Sequence, residues 1–313
     1  QMWYNNTTGT LKVYRNLGAA WAAGPSINNQ GVQRQAMSPQ TANTSAILAG
    51  GIGPGVTPPS YGVEVEEWNG TAWSPETAMG TGRRAFGSSS QTATASVVFG
   101  GNPTMSTTEE WGGSSWTATG SLTLARQYLA GFGSQTSAVA AGGYSPAAPP
   151  GYAVTSVEEY NGSTWSAGTV LPTAEYGGHG LGVSETAGFV LYPIAASPTA
   201  VTKQYDGTSW TDAGTLNTLR DGPGLAGITT AAIAFGGVSP APADTDVTEE
   251  YDGSAWTTTS ATLATATGAN VGGFGSSTSA IRASGTGPPG GAYLSATEEY
   301  TNPLITIQTV TTS

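Results

Sequence analysis

A nine-residue phrase recurs along the chain and constrains the fold more than any other feature. The copies are VEEWNGTAW from residue 65, TEEWGGSSW from 108, VEEYNGSTW from 157, TKQYDGTSW from 202 and TEEYDGSAW from 248, with a shortened TEEY from 297. The phrase returns about every 45 residues. A fixed period of this length is the signature of a repeat architecture, in which each repeat buries its core only against its neighbours.

Each repeat also contains an apolar run that ends in a glycine doublet. The clear copies are AILAGG at 46, SVVFGG at 96, AVAAGG at 138 and AIAFGG at 232, and two altered copies are GFVLYP at 188 and AIRASG at 280. Short apolar runs, Gly-rich turns and this period predict an all-β, six-bladed propeller with four-stranded blades. We name the strands a to d from the axis outward. Strand b is the apolar run, strand c carries the Glu pair and strand d begins at the closing Trp.

The count of the closing Trp predicts how the ring closes. This residue occurs only five times within the repeats, at positions 73, 116, 165, 210 and 256, and a sixth copy, Trp21, lies near the N-terminus. We therefore expect an N-terminal strand to complete the sixth, C-terminal blade. The predicted organisation is an N-terminal β-hairpin over 1–14, the propeller over 15–300 and a β-prone tail over 301–313.

Composition removes several classes of partner. The net charge is −11 with only nine Lys and Arg, which argues against binding to nucleic acid or to an anionic membrane. No stretch approaches the roughly 18 apolar residues of a membrane span. The chain has no cysteine, so it can form neither a disulfide nor a thiolate metal site.

The glycine doublet, the downstream aromatic residue and the Trp resemble the kelch repeat over about residues 15–300. The wording of phrases such as TEEYDGSAW resembles kelch-like propellers encoded by marine bacteriophages, particularly those of cyanobacteria. The opening MWYNNTTGTLKVYRN is similar to a hairpin found in phage tail-fibre proteins. The resemblance implies a virion protein, but kelch folds serve many functions, so the fold alone decides little.

The chemistry of enzymes on similar folds does not fit this chain. Galactose oxidase, which shares the kelch architecture, needs a cysteine cross-linked to tyrosine and more than one histidine, whereas this chain has no Cys and only His179. Sialidases need an arginine cluster and usually have a residue between the Asp and Gly of their Asp-box turns. In YDGTSW and YDGSAW the two residues are adjacent, as in a tight hairpin. We predict no catalytic residue, metal or cofactor, and a hydrolase is the least favoured class.

Charged residues recur at fixed places and predict a structural charge ladder. Counting back 16 residues from each glycine doublet selects Arg34, Arg84, Arg126 and Arg220, and the Glu pairs supply Glu67, Glu110, Glu159 and Glu250. In repeat four the charges change sign together, with Glu175 beside the Arg place and Lys203 in the Glu pair. This exchange suggests that each Arg pairs with one Glu, since an unpaired buried charge is costly. Which Glu pairs with which Arg is left open, and the sixth repeat has Gly268 at the Arg place.

The b-to-c loops are the variable part of the repeat. They are rich in Pro, differ in length, and carry four tyrosines, Tyr61, Tyr144, Tyr152 and Tyr293. Stiff, variable loops with aromatic residues on a constant scaffold are typical of a binding surface. We expect a virion appendage or tail-fibre-associated protein, exposed on the virion surface or otherwise extracellular, that binds a host glycan. The alternative is a structural block that contacts other virion proteins or copies of itself through its β-prone ends, and tolerated loop drift without a ligand is also open.

Overall fold

The structure is a computed structural model. It describes residues 18–31, 33–37, 41–53, 61–148, 152–192, 200–240, 243–268, 271–288 and 291–302, together with the backbone of three strands near the chain ends. Within this described part every helix or strand element is a β-strand. Parts of the predicted terminal segments 1–14 and 301–313 lie outside the described residues.

Six four-stranded antiparallel sheets form the blades of a propeller, as the sequence predicted. From strand a to strand d, the first three blades consist of Gln35–Met37, Ala46–Ala49, Val65–Trp68 and Trp73–Glu76; Gly87–Thr92, Ala95–Phe99, Thr108–Trp111 and Trp116–Thr119; and Ala130–Ser134, Ser137–Ala141, Val157–Tyr160 and Trp165–Ala167. The other three consist of His179–Ser184, Ala187–Leu191, Val201–Tyr205 and Trp210–Thr215; Gly224–Ile228, Ala231–Phe235, Thr248–Tyr251 and Trp256–Thr258; and Gly272–Ser276, Ser279–Ala283, Thr297–Thr301 and Ala20–Gly24.

Strand b is apolar at successive positions because both of its faces are buried. Val97, Val98 and Phe99 are all inaccessible to solvent. Val97 and Phe99 pack toward blade three with Ala138 and Trp165, whereas Val98 packs toward blade one. The described core consists of six such clusters, one at each junction between neighbouring blades. A blade therefore has no core of its own and depends on both neighbours.

The closing Trp of strand d packs against an aromatic residue of the preceding blade. Phe99 of blade two meets Trp165 of blade three edge to face, with ring centroids 4.7 Å apart. The Trp165 indole N–H also donates to the Thr108 hydroxyl of blade two at 3.0 Å. Burial and an aromatic pair together add about 0.5–1.5 kcal/mol beyond area at each such contact. The repeated Trp is therefore a contact between blades.

The ring is closed by the N-terminal strand, which confirms the expectation from the Trp count. Trp21 is opposite Tyr300 in the antiparallel pair of strands d and c of blade six. Its ring lies 4.8 Å from that of Phe235 in blade five, and its N–H donates to the Thr248 hydroxyl at 2.9 Å. The two ends of the propeller chain are thus joined within one sheet.

A separate three-stranded sheet combines the two ends of the whole chain. Met2–Asn5 pairs with Thr10–Arg15 as a hairpin, and Thr306–Val310 pairs with the other side of Thr10–Arg15. Both outer strands of this sheet, Met2–Asn5 and Thr306–Val310, have one edge without a partner strand in the described structure.

Replacing Trp21 by Ala should open the ring. We expect the free energy of unfolding to fall by about 3 kcal/mol, because an aromatic contact and an indole hydrogen bond between blades are both lost. Urea denaturation followed by fluorescence measures this change. Val170→Ala is the control, since Val170 is 58% exposed and its loss should cost less than about 0.5 kcal/mol. Equal denaturation midpoints for wild type and Trp21→Ala would contradict closure by this strand.

Candidate functional site

The b-to-c loops and the d-to-a connections emerge on one side of the ring, which we call the upper face. Its inner framework is set by the glycine doublets, since both glycines of each clear doublet have a positive φ, as Gly142 (60°) and Gly143 (112°) show. Other residues adopt this conformation only with strain. The second N–H then points to the next blade, where Gly143 donates to the Glu175 carbonyl at 2.8 Å. The doublet is therefore a hinge between blades.

Five buried Arg–Glu ion pairs lie under the upper face. The pairs, with their N···O distances, are Arg34–Glu66 (2.8 Å), Arg83–Glu109 (2.6 Å), Arg126–Glu158 (2.9 Å), Arg220–Glu249 (3.3 Å) and Arg282–Glu298 (2.7 Å). All ten side chains are at most 6% exposed. We call this set the Arg–Glu clamps.

Each clamp binds the backbone as well as its partner. In blade three, Glu158 accepts the Thr123 N–H at 2.7 Å, and Arg126 donates to the Ala140 carbonyl at 3.1 Å. The carboxylate thereby fixes the connection that enters the blade, and the guanidinium fixes the end of strand b. Burial lowers the pKa of Arg126, but the attraction of Glu158 opposes this, and a guanidinium stays protonated at neutral pH.

The clamp in blade two corrects two details of the predicted ladder. The count from the glycine doublet selects Arg84, but Arg83 makes the buried pair, while Arg84 lies 5.2 Å over the Tyr61 ring and donates to Gln33 at 2.7 Å. The partner is Glu109, the first residue of the Glu pair, and not Glu110. Successive residues of a strand face opposite sides, so only one Glu of each pair can reach the Arg.

Blades four and six also depart from the predicted pattern. Lys203 does not pair with Glu175; it donates to Asp212 on strand d at 2.8 Å. In blade six, where the count selects Gly268, the cation comes from strand b as Arg282. The position of a guanidinium can thus be reached from two strands, which a count along one strand cannot detect.

The second Glu of the pair has a different partner, the phrase tyrosine of the following blade. Tyr160 donates to Glu110, Tyr205 donates to Glu159, both at 2.7 Å, and Tyr300 donates to Glu250. Burial first, and then the neighbouring carboxylate, raise the pKa of Tyr160 and of Tyr205 to about 12.

Glu67 is the exception among the predicted glutamates, because the next blade carries Trp111 in place of tyrosine. The Trp111 indole donates to the Ala93 carbonyl of its own blade at 2.9 Å. Burial, and then repulsion from Glu76, raise the pKa of Glu67. The choice between Trp and Tyr in the phrase therefore decides which of these hydrogen bonds between blades can form.

Four tyrosines form a cluster on the upper face at the junction of blades three and four. Tyr144 lies 5.3 Å from Tyr152 and 5.8 Å from Tyr176, and Tyr176 lies 6.4 Å from Tyr128, as distances between ring centroids. Tyr152 is 42% exposed, and the other three are half-buried. We call these four residues the tyrosine cluster.

The cluster includes two of the four tyrosines that the sequence selected. Tyr61 lies on blade one under the Arg84 guanidinium, and Tyr293 belongs to a short hairpin of blade six, where it pairs with Thr286. Neither is among the ring contacts of the cluster.

Sequence reasoning missed the other two members, Tyr128 and Tyr176. Tyr176 occupies the Arg place of blade four, so the break in the repeat was the available signal. Tyr128 follows two residues after Arg126, where blades four and five have Gly177 and Gly222.

Tyr128 has a left-handed backbone conformation. Its φ is 55°, close to that of Gly222 (60°) at the matching place in blade five. A side chain larger than that of glycine in this region costs about 1–3 kcal/mol. The conformation is held by hydrogen bonds on both sides, from the Tyr128 N–H to the Ala85 carbonyl at 2.7 Å and from the Gly177 N–H to the Tyr128 carbonyl at 2.8 Å.

The loop that carries the cluster is fixed by backbone hydrogen bonds. Tyr144 exchanges two with Gln127, at 2.7 and 3.0 Å, and the Ser145 N–H donates to the Tyr152 carbonyl at 2.8 Å. Tyr144 and Tyr152 therefore lie on a small ladder that continues the entry of blade three. A site that is ordered in advance loses little entropy when it binds a ligand.

The axis of the propeller offers no comparable site. At Gly131 of blade three an added Cβ would come within 2.5 Å of the Ser88 carbonyl oxygen, and at Gly180 of blade four it would come within 2.3 Å of the Gly131 carbonyl oxygen. Close approach of these inner strands leaves a cavity of only about 40 Å³. Such a volume holds a few water molecules. His179 lines this space but does not extend it.

The described residues contain no group of three or more His, Asp or Glu side chains arranged to hold a metal ion. No helix in the described part of the chain is long and apolar enough to cross a membrane. Comparison with protein-family models and with curated proteins finds no match to this chain.

Breaking one clamp should destabilise the ring far more than removing the neighbouring exposed cation. Arg126→Ala leaves the Glu158 carboxylate buried without its cation, so we expect a loss of about 3–5 kcal/mol in the free energy of unfolding. Arg84→Ala is the matched control, for which we expect less than about 1 kcal/mol because Arg84 pairs with no carboxylate in the described structure. Denaturant titrations of both variants measure the difference, and equal losses would refute the assignment of Arg83 and Arg126 as the clamp residues.

The tyrosine bonds between blades predict sensitivity to alkali. A pKa raised in the folded state, about 12 for Tyr160 and Tyr205 against roughly 10 for an unfolded chain, adds stability below pH 10 that disappears as pH rises toward 12. The double change Tyr160→Phe and Tyr205→Phe should lower stability at pH 8 and flatten its decline above pH 10. Melting temperatures from pH 8 to 11.5 test this, and an unaltered slope would place both hydroxyls in solvent.

Proposed function

We propose that this chain is a kelch-like propeller of a bacteriophage particle, a non-enzymatic appendage or tail-fibre-associated protein that binds a glycan on the host surface. The observation that carries the proposal is the tyrosine cluster on the upper face, with Tyr152 exposed at its outer end. The kelch and phage assignments rest on the resemblance of the repeated phrase and of the N-terminal segment.

Tyrosine clusters suit the recognition of sugars for two physical reasons. A phenol ring offers a flat apolar face that matches the face of a pyranose ring, and its hydroxyl exchanges hydrogen bonds with sugar hydroxyls. Tyrosine also loses little conformational entropy on binding, since it has only two side-chain torsions.

The rest of the molecule supports recognition at the upper face. The axis is filled by the inner strands, so a ligand as large as a sugar has no space there. The Arg–Glu clamps and glycine doublets hold the loops from below, while the loops themselves differ from blade to blade. This arrangement separates a constant scaffold from a variable surface.

A structural role in an assembly is the second candidate, because the end sheet exposes two strand edges. Met2–Asn5 and Thr306–Val310 each pair on one side only within the described structure. Such edges can add a strand from another chain. In this reading the protein assembles with other virion proteins or with copies of itself, and the upper face has no ligand.

Removing the four sequence-selected tyrosines separates the two candidates. A variant with Tyr61, Tyr144, Tyr152 and Tyr293 all changed to Ala should keep most of its thermal stability, because these side chains lie outside the buried core clusters. If the upper face binds the host, adsorption to host cells should fall by more than tenfold, as single aromatic anchors often contribute about 2 kcal/mol each.

The same variant also tests the assembly candidate. Adsorption at the wild-type level together with a changed oligomer mass, measured by light scattering, would favour the structural role and contradict the binding proposal. Val170→Ala serves as the control for loss of an exposed apolar side chain outside the tyrosine cluster.

A further inference from the structure

We infer that Tyr128, Tyr144, Tyr152 and Tyr176 form a single binding site for an uncharged saccharide and that this site rejects anionic sugars. The inference rests on the proposed function and narrows it to one junction of the ring and one chemical class. Tyr128 and Tyr176 are thereby binding residues.

The ring contacts make the four tyrosines one surface. They form an unbroken chain from Tyr128 near the axis, through Tyr176 and Tyr144, to Tyr152 at the outer loop. The interplanar angles along it are 59°, 77° and 38°, so the rings line a bent surface. A bent aromatic surface can contact two faces of one sugar or two adjacent sugars of a chain.

The cations of the protein are committed elsewhere. Of nine Lys and Arg residues, Lys12 and Arg15 lie on the end sheet, which leaves seven in the propeller. Six of the seven pair with carboxylates, namely Arg34, Arg83, Arg126, Lys203, Arg220 and Arg282. The seventh, Arg84, stacks on Tyr61 at blades one and two. None of the seven is available to neutralise an anionic sugar at the tyrosine cluster.

The local charge near the cluster is negative. Glu175 directly precedes Tyr176, is half-buried, and accepts a hydrogen bond from the Thr173 hydroxyl at 3.0 Å. The whole chain carries a net charge of −11. A carboxylate or sulfate on the ligand would therefore meet repulsion without a compensating cation, which is how a site discriminates against the wrong partner.

The backbone at Tyr128 indicates that the cluster is more than incidental packing. The ring position is satisfied by Gly177 and Gly222 in the next two blades, and Gly fits its positive φ without strain. Blade three has a strained tyrosine there, whose ring contacts Tyr176. Strain that the fold does not need is expected where the side chain has a function.

The experiment compares Tyr128→Gly with Ala85→Gly. Ala85 has the matching place in blade two, with φ of 49°, but lies outside the cluster. Both changes relieve the same backbone strain, so neither should lower the melting temperature appreciably. Binding is measured on an array of neutral oligosaccharides, built from hexoses, N-acetylhexosamines and deoxyhexoses, and of acidic ones with uronic acid, sialic acid or sulfate groups.

We expect the wild type to bind neutral saccharides only, Tyr128→Gly to bind them at least tenfold more weakly, and Ala85→Gly to bind them as the wild type does. Adsorption to host cells should change less than about twofold between 0.05 and 0.5 M NaCl, because no charge pair is involved. Retention on acidic saccharides alone, a steep loss of adsorption with salt, or equal binding by Tyr128→Gly and wild type would each overturn the inference.

The failure of the proposed function has a different result. If no saccharide on the array is bound but adsorption to host cells is still lost in the quadruple tyrosine variant, the uncharged-sugar inference is wrong and host binding stands. If that variant adsorbs like the wild type, host recognition by the upper face fails, and the inference fails with it.

Discussion

The buried Arg–Glu clamp is the interaction on which the rest of the upper face depends. Taking both charges out of water is costly, and the clamp recovers that cost only through dense hydrogen bonding. In blade one, Glu66 accepts three N–H groups besides the Arg34 guanidinium, two of them from the backbone of Asn28 and Asn29. The carboxylate therefore acts as the cap of the segment that enters the blade. Because these hydrogen bonds fix backbone, the outer loops can change in sequence without altering how neighbouring blades meet.

Blade four shows what replaces the clamp where it is absent. Tyr192 stands in place of the first glycine of the doublet and is only 2% exposed, with its ring so close to Gly178 that an added Cβ there would lie 2.3 Å from it. Burial raises the pKa of Tyr192, which keeps its hydroxyl neutral. An aromatic ring thus fills the volume that an ion pair fills in other blades. The exchange removes a buried charge and leaves Tyr176 at the Arg place, directed to Tyr144 and Tyr128. The one blade that lost its clamp is therefore the one beside the tyrosine cluster.

Much of the fold followed from periodicity, because a repeat that buries its faces only against copies of itself must keep the same residues at the same places. The blade number, the strand order and the position of Trp21 in blade six were all accessible in this way. The partners within the ladder were not. Whether Arg83 or Arg84 turns inward depends on the local path of the chain before strand a, and Arg282 reaches its carboxylate from a different strand. The tyrosine cluster was half accessible for a similar reason, since Tyr144 and Tyr152 lie in a visibly variable loop whereas Tyr128 lies within a constant one.

A propeller of near-identical blades has to create one distinct site on a six-fold scaffold. Here the distinction arises at a single junction, where a loop of blade three carries two tyrosines and the entries of blades three and four supply two more. All four are held by groups that the ring needs in any case, because Gln127 pairs with Tyr144 and Gly177 donates to the Tyr128 carbonyl. The site therefore requires little ordering of its own when a ligand arrives. Its position at a junction also means that a ligand contacting both sides would favour the closed ring, so binding and closure by Trp21 would stabilise the same state of the protein.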